Sequence, residues 1–544
     1  MLKYIFICFT VIFYFSIFKI YAQQFNTSLI RGDFQSEIQY YFDDSIIGTP
    51  DIKEKALMNA YLNIIYSNGH FNAGFRFETY QGPLSGYDTR YKGSGIPYRF
   101  LTYTCSFMEL TVGNFYEQFG SGMLLRTYED RNLGIDNSID GVRIKTVPFK
   151  GITLKGLWGT QRFFWNHGTG IIRAIDGEFS LNEVFSKFNE SKIKILAGAS
   201  FVSKYQEDID PVYILPENVA AMGGRLKLTY NKLSLSGEYA YKYNDPSVEN
   251  GFIYKPGQAL LINTTYSRKG LGIILATKRT DNMSFRSDRN ALGNVLNINY
   301  LPSLSKEQTY SFASMYPIVT QANGEAGIQG QIFYNIKKKS KIGGKYGANV
   351  TLAYDRTNSI KIHKLPDSTF MGYESGFFDI GKDVYFEATT VEISKKFSST
   401  FSSIFSFVNI IYNQEVLLGH TGEPDIYAKV AVADLTWRID DKNTVKCELQ
   451  HLSTKQDKGN WASALVEYSI APKWFFSAGD QFNYGNKLKD KKIHYYSAGV
   501  GFIYDASRFM LTYGRNREGR ICTGGVCRNI PAYSGFGLSI ISSF

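Results

Sequence analysis

The sequence predicts an all-β fold, a single antiparallel transmembrane β-barrel of about 26 strands (roughly 22–26), with short periplasmic turns and long extracellular loops. Three observations predict it. The 544 residues hold 39 Tyr and 41 Phe, yet mean hydropathy is −0.20. After the first 22 residues, no run of about 18 apolar residues offers a membrane-spanning helix. Apolar and polar residues alternate with period 2 in stretch after stretch, the pattern of a strand between two environments.

The N-terminus reads as an address. Residues 1–3 are a short basic start, 4–18 are apolar apart from polar interruptions, and Ile20-Tyr21-Ala22 before Gln23-Gln24 has the form of a cleavage site, with Lys19 its one irregular feature. The expected division is a signal peptide at 1–22 and an outer-membrane barrel at 23–544, with no soluble N-terminal module and no separate plug domain of the TonB-dependent kind. No Cys stands at the cleavage point, which excludes a lipoprotein. Loss of Lys3 and Lys19 takes the formal charge from +11 to +9, too small an excess over such a length to imply nucleic-acid binding.

Along the chain, alternation marks candidate strands at 27–43, 56–66, 70–80, 97–107, 109–116, 140–148, 152–164, 171–182, 191–205, 220–230, 233–245, 257–267 and 270–280. It continues at 294–301, 308–318, 327–336, 344–356, 384–396, 399–416, 425–439, 443–454, 460–470, 473–485, 491–505, 507–517 and 531–544. The clearest hairpin is 224–243: Leu226, Leu228 and Tyr230 alternate with Arg225, Lys227 and Thr229, Asn231-Lys232 makes a two-residue turn, and Leu233, Leu235, Tyr239, Tyr241 and Tyr243 alternate with Ser234, Ser236, Glu238 and Lys242. The charged face belongs to a lumen and the Leu/Tyr face to lipid. Hairpins at 142–155 and 435–450 repeat the unit, and a one-residue slip would reverse every face. Counted back from the C-terminus, short connections (505–506, 471–472, 440–442, 231–232) alternate with long ones (518–530, 357–383, 206–219, 117–139), which supports an even strand number.

The last strand sets that count. In 533–544, Phe536, Leu538, Ile540 and Phe544 share an apolar face, and a terminal Phe closing such a strand resembles the recognition signal read by the barrel-assembly machinery. It is expected to pair with the first strand so that no edge is left open.

Two stretches stand out. The first, 113–141, carries three Gly in its first ten residues and then Glu117, Arg126, Glu129, Asp130, Arg131, Asp136 and Asp140 among Met123, Leu124, Leu125, Leu133 and Ile135. A loop both charged and apolar suits either a fold back into a polar lumen or an external loop with its own small core, and its matched charges argue against a catalytic carboxylate pair. The second, 515–531, places Cys522 and Cys527 around Thr523-Gly524-Gly525-Val526, a spacing that brings two sulfurs together. Secreted thiols pair in an oxidising compartment, so a disulfide is expected there. Arg515, Arg517, Arg520 and Arg528 are either a lipopolysaccharide or partner contact or solvated loop charge. Cys105 and Cys447 alternate with apolar residues and read as small lipid-facing hydrophobes.

The runs GNFYEQFGSGMLLRTYEDRNLGIDN and RNREGRICTGGVCRNIP resemble an uncharacterised family of Bacteroidota outer-membrane proteins over essentially the whole mature chain. The resemblance implies location and barrel fold and brings no activity, ligand or catalytic residue. His70, His167, His363, His420, His451 and His494 are scattered outside any nucleophile motif, so no enzyme, catalytic residue, metal or cofactor is expected.

The expected function is a channel or transport barrel, porin-like, with inward loops narrowing the lumen. The alternative is a scaffold or accessory subunit of an outer-membrane secretion or barrel-assembly machine, because an open ring of that size would leak unless something fills it. Expected partners are outer-membrane lipid and lipopolysaccharide, the assembly machinery and envelope proteins, with no nucleic acid. Mass measurement of the purified protein with and without reductant should show one disulfide across Cys522 and Cys527; two free thiols at these positions would refute it.

Overall fold

In the computed structural model the described residues are 28–49 and 54–544. Among them, 24 strands form one antiparallel sheet that closes on itself. The first eight are β1 (Ser28–Phe42), β2 (Ala56–Asn68), β3 (Phe71–Gln81), β4 (Gly93–Thr104), β5 (Met108–Phe115), β6 (Ile139–Phe149), β7 (Ile152–Phe163) and β8 (Asn166–Ser180). The next eight are β9 (Ile193–Tyr205), β10 (Asn218–Tyr230), β11 (Leu233–Lys242), β12 (Gly257–Arg268), β13 (Leu271–Asp281), β14 (Gly324–Ile336), β15 (Ala348–Ile360) and β16 (Ile380–Lys396). The ring is completed by β17 (Phe401–Tyr412), β18 (Ile426–Arg438), β19 (Asn443–Ser453), β20 (Trp461–Ile470), β21 (Trp474–Phe482), β22 (His494–Tyr504), β23 (Ser507–Asn516) and β24 (Tyr533–Ser543). The expected signal peptide and its cleavage after Ala22 lie outside the described residues.

The alternation acts as the sequence implies. Across β10 and β11, Leu226, Tyr230, Leu233 and Leu235 are exposed on the outer face, while Arg225 on the inner face pairs with Asp176 at 2.7 Å. The turn at Asn231-Lys232 is tight, and Asn231 takes the left-handed backbone that Asn tolerates. Near one end of the wall a ring of exposed aromatics includes Phe71, Phe149, Tyr230, Tyr334, Trp437 and Tyr504. At the other end, Tyr40, Phe42, Tyr513 and Phe536 are outward-facing, and Phe536 meets Phe42 at 5.7 Å and Tyr513 at 4.8 Å.

Two of the expected spans, 294–301 and 308–318, are not wall strands, which reduces the expected 26 to 24 and leaves parity even. Both belong to the long connection between β13 and β14. Residues 294–301 do alternate in sequence, but 294–296 are turn and bend with Leu296 in the left-handed region, and the backbone partners that follow are loop segments: Ile298 N donates to Phe285 O of the same connection at 2.9 Å and Tyr300 N to Gly122 O at 2.9 Å. Residues 311–316 are turn and bend, and Ser314 N donates to Tyr310 O at 3.0 Å. Cys447 lies on the outer face of β19 as expected, whereas Cys105 sits in the turn after β4, where its N–H meets Met108 O at 2.8 Å. Neither is paired.

Closure depends on the chain end. β1 pairs with β24 in register from Asp33↔Ser543 to Phe42↔Ser534. Phe544 extends the ladder: Gly32 N donates to its carbonyl at 2.8 Å, and its N–H returns to Gly32 O at 2.9 Å. The Phe544 ring lies across Gly32, where an added Cβ would stand 2.6 Å from the ring and 2.7 Å from Asn63 O. Unpaired backbone is expensive in a membrane, so this seam is the last requirement of the fold. Deletion of Phe544, or Gly32→Leu, should sharply lower the amount of heat-resistant folded barrel recovered from membranes; wild-type recovery of both variants would contradict the seam.

Candidate functional site

The inner face of the wall and three long connections form one packed unit. Residues 116–138 leave β5 and turn inward, so that Phe119, Met123, Leu124 and Leu125 are almost completely buried. They pack with inner-face residues Ala174, Val202, Ala221, Ala240 and Ala259 of β8 to β12. Small wall side chains leave room for a segment to lie against them.

The connection 282–323 follows the same surface and then crosses to the other side. Its first half places Met283, Phe285, Ile298, Leu301 and Leu304 in that cluster. Its second half places Tyr310, Phe312, Tyr316 and Ile318 against Val408, Ile410, Val430 and Leu452 of β17 to β19. A backbone in such a place needs hydrogen-bond partners. Three lysines on alternate wall strands supply them: Lys204 donates to Arg286 O at 2.9 Å, Lys242 to Ser284 O, and Lys278 to Pro302 O. Their charges are met by Asp245, 2.7 Å from Lys204, and by Glu325, which pairs with Lys278. The sequence places Lys242 on the lumen face, but its carbonyl partner comes from a distant segment that alternation could not locate.

Of the charged residues expected to hold the first loop, four pair with the wall or with each other. Asp136 meets Arg162 at 2.6 Å and also Arg76. Glu129 meets Arg76 at 2.8 Å and Arg131 at 2.6 Å. Glu117 meets Lys155 at 2.7 Å and Arg143 at 3.3 Å. Arg131 also donates to Gln35 of β1 at 2.8 Å. The other two act differently: Asp130 accepts from Leu133 N at 3.0 Å, and Arg126 lies 4.0 Å over the Tyr300 ring. Burial alone would raise the Asp136 carboxyl, but Arg162, Arg76 and the Ser138 N–H hold it below the usual carboxylate range.

The third connection is the 517–532 segment, a hairpin of Gly519–Thr523 and Val526–Ile530 closed by the Cys522–Cys527 disulfide. Its tip docks on 282–323: Ser303 N donates to Gly524 O at 3.2 Å and Thr320 N to Gly525 O at 3.1 Å. Tyr300 Oη donates to Gly524 O at 3.0 Å. A Cβ on Gly524 would lie 1.6 Å from that hydroxyl, on a backbone of φ +56°. The four arginines for which a lipopolysaccharide or partner contact and solvated loop charge are the alternatives have contacts within the protein: Arg515 with Asp44, Arg517 with Gln481, Arg520 with Leu417 O and Arg528 with Asn132 O. Both distinctive sequence stretches therefore meet on 282–323, within which alternation assigns 294–301 and 308–318 to the wall.

The two sides of the inner face differ. About six residues in from the short-turn end, Ala276, Ser406 and Leu157 are buried. On β23 at that depth Thr512 is exposed, and on β22 Ser497, two residues further in, is exposed as well, although both lie on the inner face. Around them the wall presents Gly499, Gly501, Gly537 and Ser539. Ser497 also lines a cavity of about 290 Å³, together with Ser311, Gln481, Tyr495 and Arg517 among others.

A model described as "Family of unknown function (DUF6029)" matches residues 1–544. No curated protein sequence matches. Among solved structures, the chain is similar to the siderophore receptor PirA from Pseudomonas aeruginosa, at 10% identity and TM-score 0.42, covering 95% of this chain and 80% of that one. It is similar to the P pilus usher (PapC) translocation pore at 9% identity and TM-score 0.46, covering 94% and 99%. OpdQ of Pseudomonas aeruginosa is similar at 11% identity and TM-score 0.34, covering 81% and 97%. These similarities assign no activity.

Asp136→Asn leaves two buried guanidiniums short of charge, a change that costs roughly 3–5 kcal/mol when a buried pair loses one partner. Limited proteolysis should then cut within 116–138 while the wall stays folded. Because its folded value is depressed, Asp136 contributes fully above an unfolded carboxylate pKa of about 3.9 and loses that contribution as pH falls through the lower folded value. The same cleavage should therefore appear in wild type on strong acidification, and a pH-independent pattern would contradict the tether.

Proposed function

The chain belongs to the family of unknown function DUF6029, and from that premise we propose that it is an integral outer-membrane transport barrel of a Gram-negative cell, as the resemblance to Bacteroidota proteins implies. In this reading it passes small polar solutes through a narrow lateral passage that its inward loops leave beside β22 to β24. The outward aromatic residues at both ends of an apolar wall fit two membrane interfaces. The short-turn end faces the periplasm and the interlocked loops face outward.

The observation that carries the reading is the asymmetry of the inner face: covered on one side, exposed at Ser497 and Thr512 on the other. A ring of 24 strands without filling would be an indiscriminate pore. Segments 116–138 and 282–323 narrow it in this reading, so no capping partner is needed to prevent a leak. That favours transport over a scaffold or accessory subunit of a larger machine. The chemistry is selection by size and hydrogen bonding along a wall of Ser, Thr and Gly, with no reaction step.

Purified protein in planar bilayers should show a small, steady conductance. Gly499→Phe, which places a ring on the inner face, should cut it to a small fraction, and Ala498→Phe on the lipid face should leave it intact. A silent wild-type barrel that co-purifies stoichiometrically with other envelope proteins would overturn the transport reading in favour of the accessory one.

A further inference from the structure

The cavity at the head of the proposed passage carries an unbalanced charge. Three arginines line it, and Arg515 is matched by Asp44 at 2.7 Å. Arg517 and Arg520 make no ion pair among the described residues. Arg517 Nε donates to Gln481 Oε1 at 3.1 Å, and its terminal nitrogens donate to Glu518 O and Ser311 O, each at 3.3 Å. Arg520 Nε donates to Asn529 Oδ1 at 2.8 Å and a terminal nitrogen to Leu417 O at 2.6 Å. Every one of these acceptors is neutral. Glu518 and Asp457 are within electrostatic reach of Arg517 but form no ion pair with it: Glu518 pairs with Lys458, and Asp457 accepts from Tyr316 Oη at 3.0 Å. Burial pulls the Arg517 guanidinium below its ordinary range, and the more distant Asp457 and Glu518 offset that only in part.

The rest of the lining has a different chemistry. Ser311, Ser314, Ser497 and Gln481 bring hydroxyl and amide groups, while Tyr495 and Tyr533 bring ring faces. Guanidinium groups bind phosphate and carboxylate through paired N–H donors. Hydroxyls, an amide and aromatic faces suit a polyhydroxylated body. At about 290 Å³ the cavity is at the small end of ligand sites, roughly 300–1,000 Å³, the size of one sugar-like unit. The disulfide hairpin that carries Arg520 is held on 282–323 by its tip, so the site is built before a ligand arrives.

We propose that this cavity between 311–315, the 517–530 hairpin and β21 to β24 is a binding site for a small polyhydroxylated anion, such as a sugar phosphate, with Arg517 and Arg520 holding the anionic group. The proposal rests on the transport reading for the ligand's route, though not for binding itself.

The test is calorimetric titration of detergent-purified full-length protein, disulfide intact, with glucose 6-phosphate. Saturable binding is expected in wild type. Arg517→Gln and Arg520→Gln should each weaken it by about tenfold or more, the loss of one charge-assisted contact. Ser497→Phe, which fills the cavity from an exposed wall position and leaves the arginines in place, should abolish it even if an arginine variant does not fold. Glucose lacking the phosphate should bind at least about tenfold more weakly. Absence of saturable binding in wild type, equal affinity for glucose, or unchanged binding in Ser497→Phe would each overturn the site. Binding without conductance would keep the site and remove the transport reading; conductance without binding would do the reverse.

Discussion

A polypeptide segment that enters a wide barrel must find a partner for each backbone polar group it buries, and here three wall lysines each supply one. Lys204, Lys242 and Lys278 reach from alternate strands to the carbonyls of residues 286, 284 and 302. Each is buried, so each needs a counter-charge as well as an acceptor, and Asp245 and Glu325 provide it. With 282–323 fixed in this way, residues 116–138 gain a surface on which to lie and the disulfide hairpin gains a dock. The bonds Arg126 N to Ile298 O, Asn137 Nδ2 to Asn297 O and Asn294 Nδ2 to Cys527 O join all three connections.

The wall is adapted to this filling. Small residues face inward where the connections are thickest, at Ala221, Ala240 and Ala259, and larger apolar ones, Val408, Ile410 and Leu452, face inward where 310–318 crosses. On the far side, toward the short-turn end, β22 to β24 present Gly499, Gly537 and Ser539, and a Cβ built on Gly537 meets only Thr512 of the wall. A Cβ built on Gly223 meets Leu124 of the first connection at 3.0 Å, whereas one built on Gly499 meets only wall atoms, Ser477 Oγ at 2.8 Å the nearest. The same residue type thus marks two different environments, close packing on one side and open space on the other.

Most of the wall was legible in the sequence because its physics is local. Period-2 alternation, two-residue turns such as Asn231-Lys232, and the final run to Phe544 all act between near neighbours. The loop charges were legible in type: Glu117, Glu129, Arg131 and Asp136 do hold ion pairs. What alternation could not tell is what an extended segment pairs with. Residues 294–301 satisfy the strand pattern because Leu296 and Ile298 face one side and Asn297 and Asn299 the other, yet Asn299 donates to Met123 O and Met283 O instead of facing a lumen. In 308–318 the alternation of Tyr310, Phe312 and Tyr316 with small residues misled in the same way, although Pro317 is a residue that interior strands avoid. The cavity arginines were visible as a charged cluster, and only the folded loop shows which of them lack a carboxylate.

The central claim is that one side of the inner wall is covered and the other is open. In a background with Cys105 and Cys447 replaced by Ala, single cysteines at Thr512 and at Val202 can be exposed in intact outer membranes to a charged, membrane-impermeant thiol reagent. Both positions lie on the inner face, Thr512 exposed and Val202 buried beneath 116–138 and 282–323. The account predicts rapid labelling of Thr512→Cys and none of Val202→Cys until the protein is unfolded. Equal labelling of the two in the folded barrel would contradict it.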